Sequence, residues 1–174
     1  MTIDIAYIEN CKSPELVCVL RRLKNYERYC NLLKGDIATY VHAHDEIGDM
    51  PFQLKEWMKL FNGGLLFTVS MFSTRSSEKG KFNRLLTFDE VNSADFKKEN
   101  AIPEEAMCFA MTNYGNYYCY VAGEGGECVY ELDVERCALT VKWDSFSEWL
   151  GEQIDFAESL ISVGTLEPVA DQEN

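Results

Sequence analysis

The fold is decided by residues 101–154, which read AIPEEAMCFAMTNYGNYYCYVAGEGGECVYELDVERCALTVKWDSFSEWLGEQI. Short runs dense in aromatic and β-branched residues are separated there by turns that contain Asn, Asp or Gly, a pattern typical of antiparallel strands. From residue 145 onward the apolar period changes from two to 3.6, which predicts an amphipathic helix. The predicted strands are Ala106–Met111, Tyr117–Ala122, Cys128–Leu132 and Cys137–Lys142, and the helix presents Phe146, Trp149 and Leu150 on its apolar face.

A meander of this kind can bury one sheet face against the helix that follows it. Ser145 and Glu148 have the spacing of a capping box, so the helix is expected to begin there. The stretch therefore predicts an α+β fold in which a mostly antiparallel sheet, a meander, has helices packed against it. Trp149 is expected to lie in the core, and alternation along the strand implies that only one of Tyr117 and Tyr118 faces outward.

The beginning of the chain is predicted to be helical. Ser13-Pro14 is typical of a helix start, and apolar residues keep helical spacing as far as Leu33, so one long helix is expected to end at Gly35. Residues 37–47 are a further helical candidate. The 174 residues predict a single domain, with an N-terminal helical element over 1–36, a core over 37–154 and a frayed tail over 163–174.

The middle of the chain predicts a helix followed by a strand. Pro51 is well placed to open the helix, and Asn62-Gly63-Gly64 is expected to stop it, because Gly past the last turn can adopt the left-handed cap. A strand is predicted over Leu65–Phe72, and residues 73–81 form a polar loop. Two interpretations of Asn62-Gly63-Gly64 stay open, a structural helix stop and a binding-loop motif.

The net charge of −13 is concentrated in the second half of the chain. Residues 1–87 hold 12 Lys and Arg against 10 Asp and Glu, whereas residues 88–174 hold 4 against 19. Such an excess predicts an acidic face, which repels nucleic acid and anionic lipid membranes and attracts basic partners. On charge alone, a solvated acidic surface without a partner is an equally good interpretation.

Cysteine and histidine usage predicts neither a cofactor nor a metal site. Seven cysteines without an export signal or a membrane-spanning apolar block predict free thiols in a reducing compartment, the cytoplasm. The cysteines lack a CxxC pair and zinc spacing. His42 and His44 lie two residues apart, which suits surface positions better than a shared metal ion. No catalytic constellation is recognisable either.

Seven short motifs occur in a fixed order within residues 37–154. They are Met50-Pro51, Asn62-Gly63-Gly64, Phe109-Ala110, Gly115-Asn116, Val129-Tyr130, Ser145-Phe146 and Trp149-Leu150. Their order and spacing resemble the SUKH superfamily, which is named partly for a yeast regulator of cell-wall synthesis and is rich in bacterial immunity proteins. The family commonly has Asp where Asn116 stands. The resemblance implies a SUKH-like α+β domain that binds proteins without catalysis; bacterial members are typically encoded beside toxins, often nucleases, and neutralise them.

Charge and resemblance together predict an immunity protein that binds a basic toxin domain. The candidate partner-binding residues are Glu124, Glu127, Glu131, Asp133 and Glu135, with Tyr118 and Tyr120 as exposed anchors. The acidic surroundings of these tyrosines disfavour base stacking, so a nucleic-acid partner is not expected. Two alternatives stay open: a regulatory or scaffolding protein without a toxin, and an enzyme that uses carboxylates in a sheet cleft.

Overall fold

A computed structural model describes residue 3 and residues 5–35, 50–73, 86–122 and 127–169 of the chain. Its helices are α1 (Ile5–Glu9), α2 (Pro14–Lys24), α3 (Phe52–Leu60), α4 (Phe88–Asn92), α5 (Ala94–Glu99) and α6 (Phe146–Ser162). Its strands are β1 (Cys30–Lys34), β2 (Phe61–Leu66), β3 (Val69–Met71), β4 (Ala106–Met111), β5 (Tyr117–Val121), β6 (Val129–Asp133) and β7 (Ala138–Trp143). The helical candidate over 37–47, both histidines, most of the polar loop over 73–81 and Glu124 lie outside the described residues.

These strands form one antiparallel sheet in which each pairs with the next along the chain, from β1 to β7. The predicted meander is confirmed, and the bounds of β5, β6 and β7 match the predictions to within one residue. Register places Tyr118 opposite Glu131 and Glu131 opposite Val141, so these three side chains share one face. The α+β fold is thereby established.

Helix α6 covers that face of the sheet, as predicted. Trp149 is fully buried, and its ring centroid lies 5.1 Å from that of Phe109 and 5.2 Å from that of Tyr118. The Ser145 hydroxyl accepts from the Glu148 N–H at 3.1 Å, which confirms the N-cap. The Glu148 carboxylate accepts in turn from the Asp144 N–H at 2.6 Å, so the reciprocal contact reaches one residue further back than a capping box requires.

The opposite face of the sheet is covered by α4 and α5. Asn92 on α4 bonds both backbone groups of Cys108 on β4, each at 2.8 Å, and Phe96 on α5 meets Tyr117 edge-to-face at 6.4 Å. With helices on both faces, Tyr117 and Tyr118 are both buried. The expectation that one of them faces outward was wrong, because alternation exposes a residue only where one face of the sheet is open.

The N-terminal element departs from the predicted single long helix. Helix α2 begins at Pro14, with the Ser13 hydroxyl accepting from the Leu16 N–H as predicted, but it ends at Lys24. A 3-10 turn then leads into β1, where Cys30 and Leu32 are buried alternately. The apolar residues from Cys30 onward therefore follow a period of two, and the helical spacing extrapolated from α2 does not continue through them.

Asn62-Gly63-Gly64 lies inside β2 and does not stop a helix. Helix α3 already ends at Leu60, so the predicted helix stop was wrong. The glycines do adopt positive φ, 77° at Gly63 and 114° at Gly64. A Cβ on Gly64 would lie 2.4 Å from the Asn31 carbonyl oxygen on β1. These positions therefore require glycine, because neighbouring backbone comes close to them and their φ is positive.

The residues after α6 are held against the protein as far as the structure describes them. The Val169 N–H donates to the Arg28 carbonyl at 2.9 Å, and the Leu166 side chain packs on the core. These two contacts hold Leu166 and Val169, and the frayed tail over 163–174 stays a prediction. Among the described residues, no helix combines the length and apolar character needed to cross a bilayer.

Candidate functional site

A groove of about 670 Å³ opens between the sheet and the C-terminal half of α6. The 17 residues of α6 extend roughly 25 Å, longer than the strands beneath them. Its first half packs on the sheet, whereas Asp155 and Glu158 in its second half pair with Arg22 on α2. The lining residues are Thr68, Val69, Thr112, Asn113, Tyr114, Tyr118, Glu131, Val141, Trp143, Glu152, Gln153, Phe156, Leu160, Thr165 and Leu166.

The charged side chains among these lining residues are the carboxylates of Glu131 and Glu152, and both accept hydrogen bonds from neutral donors. Glu131 Oε1 accepts from the Tyr114 hydroxyl at 3.0 Å and from Asn116 Nδ2 at 2.8 Å. Glu152 Oε2 accepts from the indole N–H of Trp143. Because neutral donors orient a carboxylate without cancelling its charge, the groove keeps a negative potential.

Exposed apolar groups lie beside these carboxylates. Tyr114 is 68% exposed, Phe156 54% and Val141 41%. Desolvation and the hydrogen bond to Glu131 raise the pKa of the Tyr114 hydroxyl, which therefore stays a protonated donor at neutral pH. Large side chains exposed beside polar groups are the composition found at protein interfaces.

A smaller cavity of about 430 Å³ adjoins the groove through Tyr114. The β4–β5 turn forms one side of it, and the other is formed by Asp133 at the end of β6 with Val134 and Glu135 of the β6–β7 turn. Asp133 Oδ1 accepts from the Arg136 N–H at 3.0 Å and so stabilises its own turn. Glu135 is exposed, and its carboxylate adds negative charge at this end of the sheet.

The structure brings together three of the predicted acidic residues and separates a fourth. Asp133 ends β6, Glu135 lies in the turn after it and Glu131 lies at the middle of the strand, whereas Glu127 precedes the start of β6, roughly 20 Å from Asp133 along the strand. Glu127 Oε1 accepts from the Phe52 N–H at 2.9 Å, which caps the start of α3, and its Oε2 is buried. Glu127 therefore has a structural role at the start of α3, and its partner-binding role stays a prediction. Glu124 lies outside the described residues.

The two tyrosines predicted as exposed anchors are both buried, which corrects that prediction. Tyr118 packs under Trp149 and Trp143, at centroid distances of 5.2 and 5.8 Å, and reaches only the floor of the groove. The Tyr120 ring packs against that of Phe109 in a tilted arrangement, with 5.3 Å between the ring centroids. Its hydroxyl is buried and has no hydrogen-bond partner among the described residues, and burial raises its pKa well above the ordinary value.

Sequence reasoning missed the exposed aromatic residues that the fold does bring to this surface. Tyr114 was assigned to a turn, and Phe156 lies off the apolar face of α6. An aromatic residue on the polar face of an amphipathic helix was the available signal for Phe156. The structure also explains why Asn suits position 116. An Asp there, which the SUKH resemblance suggests, would place a second carboxylate against that of Glu131.

Metal-binding geometry is not found in the described part of the chain, where no group of three or more His, Cys, Asp or Glu side chains is placed to hold an ion. All seven cysteines are free thiols, as predicted. Burial raises the pKa of the Cys30 thiol to about 12, so this side chain is a neutral packing group at physiological pH.

Comparison with known proteins identifies the family. The family model described as SMI1 / KNR4 family (SUKH-1) matches residues 46–152, from before Pro51 into the first half of α6. Among curated proteins no match is found. The matched segment contains strands β2 to β7 and the Tyr114, Asn116 and Glu131 cluster, and it spans more than half of the chain. On the fold and on this match, the chain belongs to the SMI1 / KNR4 family (SUKH-1).

Proposed function

We propose that the protein is a non-catalytic binding module, an immunity protein that neutralises a basic toxin domain by binding it. Family membership supports a role in protein binding, since the SUKH resemblance implies such modules. The proposed binding surface is the groove together with the adjoining cavity at the turn end of β6. Inhibition would be steric, because a partner seated there would have part of its own surface covered.

The observation that carries the proposal is the charge of this surface. Glu131 and Glu152 line the groove, Asp133 and Glu135 line the adjoining cavity, and no basic side chain is among the lining residues described for either. Toxins that act on nucleic acid tend to be basic, because their substrate is a polyanion. Complementary charge speeds association and disfavours wrong partners.

Exposed aromatic groups supply the second component of a binding surface. Tyr114 and Phe156 stand beside the carboxylates and are more than half exposed. Aromatic side chains bury a large area on association and lose little rotamer entropy, so they are frequent at energetically dominant interface positions. The same surface, acidic and aromatic, is unsuited to nucleic acid and to anionic membranes.

The proposal requires a toxin gene beside that of this protein, and the test is a charge-reversal series against the product of that gene. Glu135→Lys with Glu152→Lys changes two exposed carboxylates of the proposed surface, and Glu99→Lys with Glu105→Lys makes the same charge change on exposed residues elsewhere. The expected result is an association rate reduced about tenfold or more in the first variant and little changed in the second. Equal effects in the two variants would contradict this binding surface.

The wild-type measurement separates the immunity function from a regulatory or scaffolding one. An immunity protein binds the toxin and protects the cell that makes it, and both effects should be lost together in the groove variant. A folded wild-type protein that neither binds nor protects against the neighbouring toxin would overturn the proposal. A saturable thermal shift with a metabolite or nucleotide would then direct attention to the carboxylates as a catalytic pair.

A further inference from the structure

The two groove carboxylates have no cationic partner among the described residues. The ion pairs of the described chain join Arg22, Lys24, Lys59 and Arg136 to other carboxylates, and neither Glu131 nor Glu152 takes part. Glu131 is half-buried, and a carboxylate that is partly removed from water without a cation can be stabilised by a bound cation. The groove is therefore preorganised for a positive group that comes from outside the described chain.

The geometry at Glu131 leaves one carboxylate oxygen available. Oε1 accepts both hydrogen bonds, from Tyr114 and from Asn116, so the carboxylate is fixed in orientation. Oε2 accepts no hydrogen bond from the described residues and is accessible to solvent. An oriented carboxylate with an accessible oxygen can accept a charge-assisted hydrogen bond with little loss of side-chain entropy.

The aromatic residues favour a guanidinium over an ammonium group. Tyr114 and Phe156 line the same groove as Glu131 and are 68% and 54% exposed. A planar, weakly hydrated guanidinium stacks on aromatic faces while it donates to a carboxylate in its plane, whereas a lysine ammonium is a compact and strongly hydrated charge. Val69 and Val141 on the floor can pack against the aliphatic stem.

We propose that this groove is the recognition site for an arginine side chain carried on an extended segment of a protein partner. The inference rests on the proposed function for the class of partner, and it adds the side chain that is recognised. At about 670 Å³ the groove exceeds one side chain and can admit the residues that flank the arginine. Glu131 accepts from the guanidinium, and Tyr114 and Phe156 flank it.

The experiment is a titration of the whole protein, followed by two-dimensional NMR, with the blocked peptide Gly-Val-Arg-Val-Gly. Two matched peptides replace Arg with Lys and with citrulline, a neutral analogue of the same shape. The indole N–H of Trp143 is the reporter, because it donates to Glu152 inside the groove. We expect saturable shifts of this resonance with the arginine peptide, binding weaker by about threefold or more with lysine, and none with citrulline.

Two variants locate the site. Glu131→Gln keeps the shape of the side chain and the acceptor for Tyr114 but removes the charge. This variant should bind the arginine peptide about tenfold more weakly. Phe156→Ala should lower the affinity for the arginine peptide severalfold without unfolding the protein, since this ring is mostly exposed. Glu105→Gln removes an exposed charge elsewhere and should leave the affinity unchanged. Equal affinity for citrulline, or full affinity in Glu131→Gln, would overturn the proposal.

The outcome can be told apart from that of the proposed function. A protein that binds the neighbouring toxin but shows no arginine-selective shifts at Trp143 keeps its immunity role and loses this recognition site. A protein that binds the arginine peptide in the groove but not the toxin keeps the site and loses the immunity role. The peptide titration therefore tests the recognition site independently of any toxin, and the toxin measurement tests the immunity role independently of any peptide.

Discussion

Trp149 is the side chain on which the helix, the sheet and the aromatic core meet. Its ring lies 5.1 Å from Phe109, 5.2 Å from Tyr118 and 5.1 Å from Phe146, and none of its surface reaches solvent. Its indole N–H is buried and finds no hydrogen-bond acceptor in the part of the chain that the structure describes. Packing of the ring therefore outweighs the cost of a buried donor, because several aromatic contacts are made and one hydrogen bond is missing.

Trp149→Ala should lower the free energy of unfolding by roughly 3–5 kcal/mol, because it leaves a large cavity at the centre of the core. Trp149→Phe is the matched comparison: it keeps an aromatic ring and removes the unpaired N–H, so it should cost clearly less. Denaturant unfolding of the three proteins measures the difference. A loss below about 1 kcal/mol in Trp149→Ala would contradict the core position.

The tyrosines show why residue-level patterns were insufficient for the site. A run of aromatic residues predicts a strand well, since these side chains fit a pleated surface. It does not reveal how many faces of the sheet are covered, and α4 and α5 cover the face that would have exposed Tyr117. Tyr114, which is exposed, stands in a turn of only a few residues, where no periodicity exists to interpret.

At the scale of elements, β2 depends on two glycines for its place between β1 and β3. Gly64 pairs with Leu32 on one side and Met71 on the other, and a Cβ there would lie 2.4 Å from the Asn31 carbonyl oxygen. A Cβ on Gly63 would lie 2.8 Å from the Ser73 backbone nitrogen. The strand can pair on both sides only while these positions carry no side chain.

Alanine substitutions can separate backbone strain from steric overlap. Gly115 in the β4–β5 turn has a φ of 99°, but a Cβ there would meet nothing within 4 Å, so Gly115→Ala measures strain alone, at about 1–2 kcal/mol. Gly64→Ala adds overlap with β1 backbone and should cost more by roughly 1–3 kcal/mol. Thermal or denaturant unfolding compares them. Equal costs would mean that β1 moves aside freely.

The elements that were predicted correctly are those whose pattern is local. Strands β4 to β7 and helix α6 have their turns and their cap within a few residues, and their bounds followed from the sequence. Strand β1 was predicted as helix because Cys30 continued the apolar spacing of α2, and only its pairing with Leu66 makes it a strand. Pairing across more than thirty residues is set by tertiary structure, which overrides local propensity.

The asymmetry of charge is a property of the whole molecule that can be counted on the sequence. Residues 88–174 carry 19 of the 29 acidic side chains and 4 of the 16 basic ones. The groove itself could not be predicted, because Tyr114, Glu131 and Phe156 come from a turn, a strand and a helix that only the fold brings together. The sequence therefore indicated that the second half of the chain is acidic. Only the fold shows where aromatic groups lie beside the acidic residues.

Salt is expected to weaken toxin binding mainly through the association rate. Attraction between an acidic surface and a basic partner acts before contact, over a Debye length of about 10 Å at 0.1 M salt, and so it raises the association rate. Raising the salt from about 0.05 to 0.5 M should therefore reduce the association rate at least severalfold and change the dissociation rate much less. Stopped-flow fluorescence measures both rates.

The variants make this prediction specific to one surface. Glu135→Lys with Glu152→Lys should flatten the salt dependence of the association rate, because the charges that steer the partner are gone. Glu99→Lys with Glu105→Lys lowers the net negative charge equally, but it should keep most of the salt dependence, because local potential at the binding surface governs steering more than total charge does. If the two variants flatten it alike, only total charge matters, and the partner is not steered to the groove.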